Sequence, residues 1–192
     1  MSTDAPASGA FIAVVGPSGS GKDSLIDFAR QRLAGRAEFA FVRRIVTRPA
    51  DRAAEDHDSL SEAHFEALAR SNGLALHWQA HGLRYGLPRS IDNDIAAGRV
   101  VIANVSRQVI GEAASRYQRV IVATISARPE IIAQRLAARG REDAEAIRQR
   151  LARQLDVAVP GVESIQIDNS GQLQDAGERF LDLLQQAQAE RV

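Results

Sequence analysis

The sequence predicts an open, mostly parallel α/β sheet with helices on both faces, and three observations lead there. An apolar run at residues 11–15 passes straight into a Gly-rich turn and then into a helix-like segment. Beyond residue 90, strand-like and helix-like stretches alternate regularly. The chain has 192 residues, 45% hydrophobic and 25% charged, which suits one domain with a full core and is too short for two ordinary ones. Strands buried on both faces read as continuous apolar runs, and strand–helix alternation packs them parallel beneath helices.

In chain order, the run at 11–15 is the first strand, the turn at 16–22 follows it, and 24–29 reads as a helix. Residues 38–42 are a second strand. Residues 43–60 are polar, rich in Arg, Asp and Ala, and show no period. Ser61, three residues before His64 and just ahead of an apolar-periodic stretch, signals a capped helix over 61–68. Residues 74–80 and 82–87 form an antiparallel pair. Then come a helix at 91–97, a strand at 100–105, a helix at 107–116 and a strand at 120–126. Helices at 129–139 and 141–157, a last strand at 165–167 and a closing helix at 173–189 complete the pattern.

Lys+Arg and Asp+Glu are equal at 24 each, so no global basic excess points to nucleic acid or a membrane surface. There is no cysteine, which removes disulfides, thiolate metal sites and thiol nucleophiles. No apolar run approaches the roughly 20 residues of a membrane span, and the first ten residues lack a signal-peptide pattern. The expectation is a cytoplasmic protein.

Of the 24 basic residues, Lys22 alone is lysine and the rest are arginine. An ammonium is a compact point charge and a guanidinium a wide planar fork, so position 22 calls for the compact one. Lys22 closes the spacing G-x-x-x-x-G-K from Gly16 through Pro17, Ser18, Gly19, Ser20 and Gly21, between a strand and a helix. That is the phosphate-binding P-loop arrangement: glycines let backbone N–H groups wrap a phosphate, and the helix N-terminus adds partial positive charge. The usual next residue is Ser or Thr, whose hydroxyl binds Mg²⁺; here it is Asp23, followed by Ser24. A carboxylate is a hard ligand suited to Mg²⁺, and its charge beside a polyphosphate calls for a metal. An acidic residue favoured by the helix dipole is the alternative.

Arg43, Arg44, Arg48 and Arg52 cluster beyond the second strand, and His57, His64, His77 and His81 all fall within 57–81, together with Trp78 and Tyr85. The histidine spacings match no usual zinc pattern. The group reads better as a pocket for a small phosphorylated acceptor, with surface pairing to Asp51, Glu55, Asp56 and Asp58 as the alternative for any single arginine. Arg135, Arg139, Arg141, Arg150 and Arg153 form a second basic series around an Arg-Gly-Arg break, which suits a closing lid.

These features together resemble the guanylate-kinase-like group of P-loop kinases. The matching residues are the 16–22 loop, Thr47-Arg48, Tyr85-Gly86, Arg135-Leu136 with Arg139-Gly140, Arg150-Leu151 and Asn169. Within that group the chain is most similar to the ribose 1,5-bisphosphate phosphokinases of bacterial phosphonate breakdown. Asp23 after the loop lysine, His57 with Leu60-Ser61, Trp78 with Ala80, Asn104 with Ser106-Arg107, and Arg139-Gly140-Arg141-Glu142 carry that likeness.

The resemblance implies a single P-loop kinase domain over 1–192. Its core covers 10–42 and 88–192, with an acceptor-binding insertion at about 43–87 and an arginine-rich lid at about 138–153. It implies ATP and ribose 1,5-bisphosphate as substrates, Mg²⁺ as cofactor, and a homodimer as a possible assembly. Lys22, Arg139, Arg141 and Arg150 take the catalytic roles. ATP binding falls to 16–24 and Asn169, with Asp23 on the metal. Arg44, Arg48, His57, His77, Tyr85, Ser106 and Arg107 bind the acceptor. Guanylate kinase is the nearest alternative; its relatives read guanine with Glu and Asp where this chain has His77 and Ser106, and carry Ser in place of Arg44. A non-catalytic binding module of the same fold is the other alternative, and the intact loop and lid arginines argue against it.

Overall fold

The computed structural model describes residues 8–48, 57–138 and 159–190. β1 (Ala10–Val15) runs into α1 (Lys22–Arg32), and β2 (Phe39–Phe41), β3 (Arg44–Val46) and β4 (His57–Ser59) follow. Next are α2 (Glu62–Arg70), the hairpin β5 (Leu74–Ala80) and β6 (Leu83–Pro88), α3 (Ile91–Ala96) and β7 (Val100–Asn104). A 3₁₀ turn (Arg107–Val109) leads into α4 (Ile110–Arg116), then β8 (Val120–Ser126), α5 (Pro129–Ala138), β9 (Glu163–Asp168) and α6 (Leu173–Ala189).

The central sheet has the order β2-β7-β1-β8-β9, and every pairing in it is parallel. Strand alternation sends Ile12 and Val14 of β1 to one face, where Leu25, Ile26 and Ala29 of α1 and Phe180, Leu181 and Leu184 of α6 pack on them. Phe11, Ala13 and Val15 face the other way, against Ile91 and Ile95 of α3 and Ile110 and Ala113 of α4. The chain therefore leaves β1 towards one face and the neighbouring β7 towards the other. Their carboxyl ends open a crevice at this switch point, the usual ligand site of an open α/β sheet.

Two differences from the expected elements have clear causes. Residues 43–60, expected to be irregular, contribute β3 and β4 to a second sheet of order β4-β3-β6-β5. Three-residue strands carry no readable period, and β3 exists because Ile45 and Val46 pair with Gly86 and Tyr85 of β6. The helix expected over 107–116 opens as a 3₁₀ turn, in which Ser106 Oγ accepts from the Gln108 N–H at 3.3 Å. The expected helix over 141–157 lies outside the described residues. No helix among the described residues is long and apolar enough to cross a membrane.

Asp92 ties α3 to α4. Its carboxylate accepts from Arg116 Nε at 2.9 Å, from Arg116 Nη2 at 2.5 Å and from the Tyr117 hydroxyl at 2.8 Å, with Arg89 Nε at 2.6 Å. The Arg116 hydrogen bonds, helped by Tyr117 and Arg89 and opposed by burial, hold this carboxyl below the usual carboxylate range. A lowered folded-state pKa contributes stability above the unfolded value of about 3.9 and loses it as pH falls through the folded one. Asp92→Asn should therefore cost about 1–3 kcal/mol at neutral pH, by the loss of charged hydrogen bonds. Urea unfolding at a series of pH values should show that difference constant from about pH 5 to 8 and shrinking below about pH 4.

Candidate active site

The loop between β1 and α1 turns sharply enough to require glycine. Gly16, Gly19 and Gly21 have φ of 146°, 85° and 90°, a region that side chains avoid. At Gly21 a Cβ would also sit 2.2 Å from Nδ2 of Asn169. Gly21 is the N-cap of α1 and supplies no side-chain cap, so the first-turn N–H groups keep their capacity for an anion. Lys22 Nζ folds back along the loop and donates to the carbonyls of Gly16 and Pro17, both at 2.9 Å.

The loop is gripped from behind. Asn169, only 2% exposed, donates Nδ2 to the Ser20 carbonyl at 2.8 Å. Arg135 of α5 donates to the carbonyls of Asn169 at 2.9 Å and Ser20 at 3.3 Å. Asn169, expected to bind ATP, is not among the residues that line the cleft; as the residue after β9 it is buried beneath the loop, where its Nδ2 is engaged by the Ser20 carbonyl. Ser20 is likewise buried and is not among the residues that line the cleft. Arg135 belonged to the lid series in the sequence, and only its spatial position reveals the clamp.

In front of the loop lies a cleft of about 570 Å³. Gly16 to Gly19 and Gly21 to Ser24 form one wall, and Asn104 to Gln108, from the last residue of β7 onward, form another. Arg44, Trp78, His81 and Tyr85 complete it from the second sheet. Trp78 and Tyr85 stack nearly parallel, 8° apart with centroids at 5.6 Å, and the Arg44 guanidinium lies 5.7 Å over the Tyr85 ring. Arg44, Tyr85, Ser106 and Arg107 thus meet the phosphate loop across one space, although they are far apart in the chain.

Three expected acceptor residues fare differently. His77 is exposed on the side of β5 opposite Trp78, because side chains alternate along a strand; Trp78 and Ala80 line the cleft instead. His81, which the sequence placed in the acceptor-pocket group without naming it as a binding residue, also lines it, from the β5–β6 turn at φ 51°. Arg48 is half-buried outside the cleft lining, with its Nε lacking a hydrogen-bond partner. The side chain of His57, and Arg139, Arg141 and Arg150 entirely, lie outside the described residues.

Asp23 fits a Mg²⁺ role by the chemistry of its donor set. Asp23 and Ser24 both line the cleft at the end of the phosphate loop, and both side chains carry hard oxygens. Mg²⁺ is commonly held by one or two carboxylates plus substrate phosphates, so a single acidic residue suffices. Asn104 Nδ2 donates to Asp23 Oδ1 at 2.8 Å and fixes the carboxylate at this place.

Comparison with known proteins decides the family. A ribose 1,5-bisphosphate phosphokinase PhnN from Brucella melitensis is 52% identical over 181 residues, 94% of each chain. Enzymes of the same name from Pseudofrankia inefficax and Agrobacterium fabrum are 48% and 42% identical over 92% of this chain, covering 90% and 96% of their own lengths. The chain belongs to the ribose 1,5-bisphosphate phosphokinase family. No protein-family model matches it. A guanylate kinase from Anaplasma phagocytophilum shares the architecture with a TM-score of 0.70 at 15% identity, covering 96% of this chain and 88% of its own. A gluconokinase from Sinorhizobium meliloti has a TM-score of 0.54 at 16% identity, over 96% and 95%. Those two likenesses concern the kinase fold alone, and the family resemblance read from the motifs is borne out by the closer relatives.

The clamp predicts a mutational effect from a residue that stands behind the loop and outside the cleft lining. Arg135→Ala removes the donors that serve the Ser20 carbonyl of the loop and the Asn169 carbonyl beneath it. It should speed amide hydrogen exchange at residues 19–21 and weaken ATP binding about tenfold or more, the equivalent of one or two hydrogen bonds. Unchanged exchange and affinity in the folded variant would show that Arg135 is dispensable.

Proposed function

We propose that the chain transfers the γ-phosphoryl group of ATP to the 1-phosphate of ribose 1,5-bisphosphate, giving 5-phospho-α-D-ribose 1-diphosphate and ADP. The observation that carries this reading is the charge of the cleft. Asp23 is the one carboxylate in the lining among the described residues, and Lys22, Arg44 and Arg107 line the same cleft. A guanine base presents N–H donors that need such acceptors, and Asp23 is already occupied beside the phosphate loop. A sugar bisphosphate presents mostly anionic oxygens, which the arginines suit. The relatives' names agree with this substrate.

The acceptor oxygen belongs to a phosphate monoester whose second pKa is about 6, so it is largely dianionic at neutral pH and needs no strong general base. That oxygen forms the new bond to Pγ, while the bond from Pγ to the β–γ bridging oxygen breaks and its electron pair leaves on ADP. The obstacle is repulsion: two unit charges about 4 Å apart cost about 4 kcal/mol at an effective dielectric near 20. The protein answers it by holding both anions against fixed cations, so that approach is prepaid in binding.

In this reading Lys22 leaves the Gly16 and Pro17 carbonyls and turns to the β- and γ-phosphates. Arg44 and Arg107 hold acceptor phosphates, and the flat Trp78–Tyr85 stack supports the sugar. Arg139, Arg141 and Arg150 bring further charge to the transferring group. Mg²⁺, held by Asp23, would neutralise charge on the β- and γ-oxygens. The setting inferred for this chemistry is the cytoplasm.

Two measurements test the assignment. Phosphoryl transfer assayed in parallel should give a kcat/KM for ribose 1,5-bisphosphate at least about 10²-fold above that for GMP, since each unpaired guanine donor costs about 1–3 kcal/mol. Comparable values, or a preference for GMP, would make this a guanylate kinase. Lys22→Arg preserves net charge, yet the guanidinium fork is too wide for the phosphate cradle of the loop, and turnover should fall by about 10² or more. Near-normal turnover would refute the geometric role of the lysine.

A further inference from the structure

In P-loop enzymes the residue after the loop lysine brings a hydroxyl to the metal, and a carboxylate reaches it from a strand end. Both places hold the opposite type here. Asp23 follows Lys22, and the strand beside β1 ends in Asn104, whose Cα pairs with that of Val14. The two side chains touch, Asn104 Nδ2 donating to Asp23 Oδ1 at 2.8 Å across 81 positions of sequence.

We propose that Asp23 and Asn104 are an exchanged pair, in which the metal-site carboxylate has moved from the strand to the helix and Asn104 is the positioning residue that aims it. The inference rests on the reading of Asp23 as the Mg²⁺ ligand, and it assigns to Asn104 a role that the motif reading did not.

The physical argument has three parts. A carboxylate at both places would set two anions at hydrogen-bond distance, and each would disfavour the charged form of the other. An amide is the neutral side chain of matching shape that donates to a carboxylate. Asn104 is also well placed to be rigid: it is 6% exposed and ends a strand paired on both sides, by β2 and by β1. Asp23 lies in the first turn of α1 and relies on that strand for its aim. Asp23, Asn104 and Arg44 line both the cleft and a small adjoining recess of about 20 Å³.

The exchange keeps one carboxylate and changes only its address, so it makes a reciprocal prediction. ATP affinity would be measured by calorimetry with excess Mg²⁺ and with EDTA, and the ratio of the two is the readout. Asp23→Ser should lower that ratio by about tenfold or more while improving binding of metal-free ATP, because a fixed negative charge leaves the polyphosphate. Asn104→Ala should lower the ratio about tenfold and leave metal-free ATP binding within about twofold, the effect of losing one charged hydrogen bond. The double variant Asp23→Ser/Asn104→Asp restores the ordinary arrangement and should recover most of the ratio, a coupling that independent sites do not show.

A folded double variant no better than the worse single variant would overturn the exchange. So would an Asn104→Ala protein that keeps the full Mg²⁺ advantage. Thermal melting checks folding, and if Asn104→Asp alone fails to fold, Asn104→Ala and Asn104→Ser decide the matter. Mn²⁺ electron paramagnetic resonance of the ATP complex gives a second readout without turnover. Loss of activity on ribose 1,5-bisphosphate with the binding pattern intact would sink the proposed substrate and leave the pair standing.

Discussion

The fold is organised around the need to present a tight turn of backbone to phosphates. Such a turn exposes N–H groups on its concave side and leaves its carbonyls on the convex side without helix or sheet partners. Those carbonyls are satisfied by side chains from elsewhere: Lys22 takes Gly16 and Pro17, while Asn169 and Arg135 take Ser20. β9 delivers Asn169 and α5 delivers Arg135, so the central sheet must be complete on the β8–β9 side before the loop is fully held. A structure in which the anion-binding surface depends on remote strands is rigid where rigidity serves binding.

The second requirement is to place one anion against another. Positive charge comes from the loop lysine on one wall and from Arg44 and Arg107 on the others. Arg44 is oriented by the Tyr85 ring, and Tyr85 by the Trp78 ring, a stack that fixes a long side chain at small entropic cost. The small second sheet exists to carry that stack. β3 brings Arg44, β5 brings Trp78 and β6 brings Tyr85 to one side of the crevice.

Much of the central fold was legible in the sequence because its signals are local. Val100 to Asn104 and Val120 to Ser126 are contiguous apolar strands, and the spacing from Gly16 to Lys22 sits between β1 and α1 as the motif demands. Strands β3 and β4 were not legible, since three residues carry no period and their pairing partners lie elsewhere. His77 was misplaced for a related reason: a histidine next to a tryptophan looks equally available, and only the strand's orientation decides which of the two faces the cleft.

By itself the sequence determined a parallel α/β core, a phosphate loop with a lysine that nothing else in the chain duplicates, and an acidic residue where a hydroxyl is usual. These follow from neighbouring residues and from residue chemistry. Tertiary structure decided that Arg135 and Asn169 support the loop from behind, that His81 and Trp78 line the cleft, and that Asn104 holds Asp23. Each of these is a contact or a facing between segments separated by tens of positions. Chain folding creates that proximity through sheet order and helix packing, and no local pattern of residues encodes it.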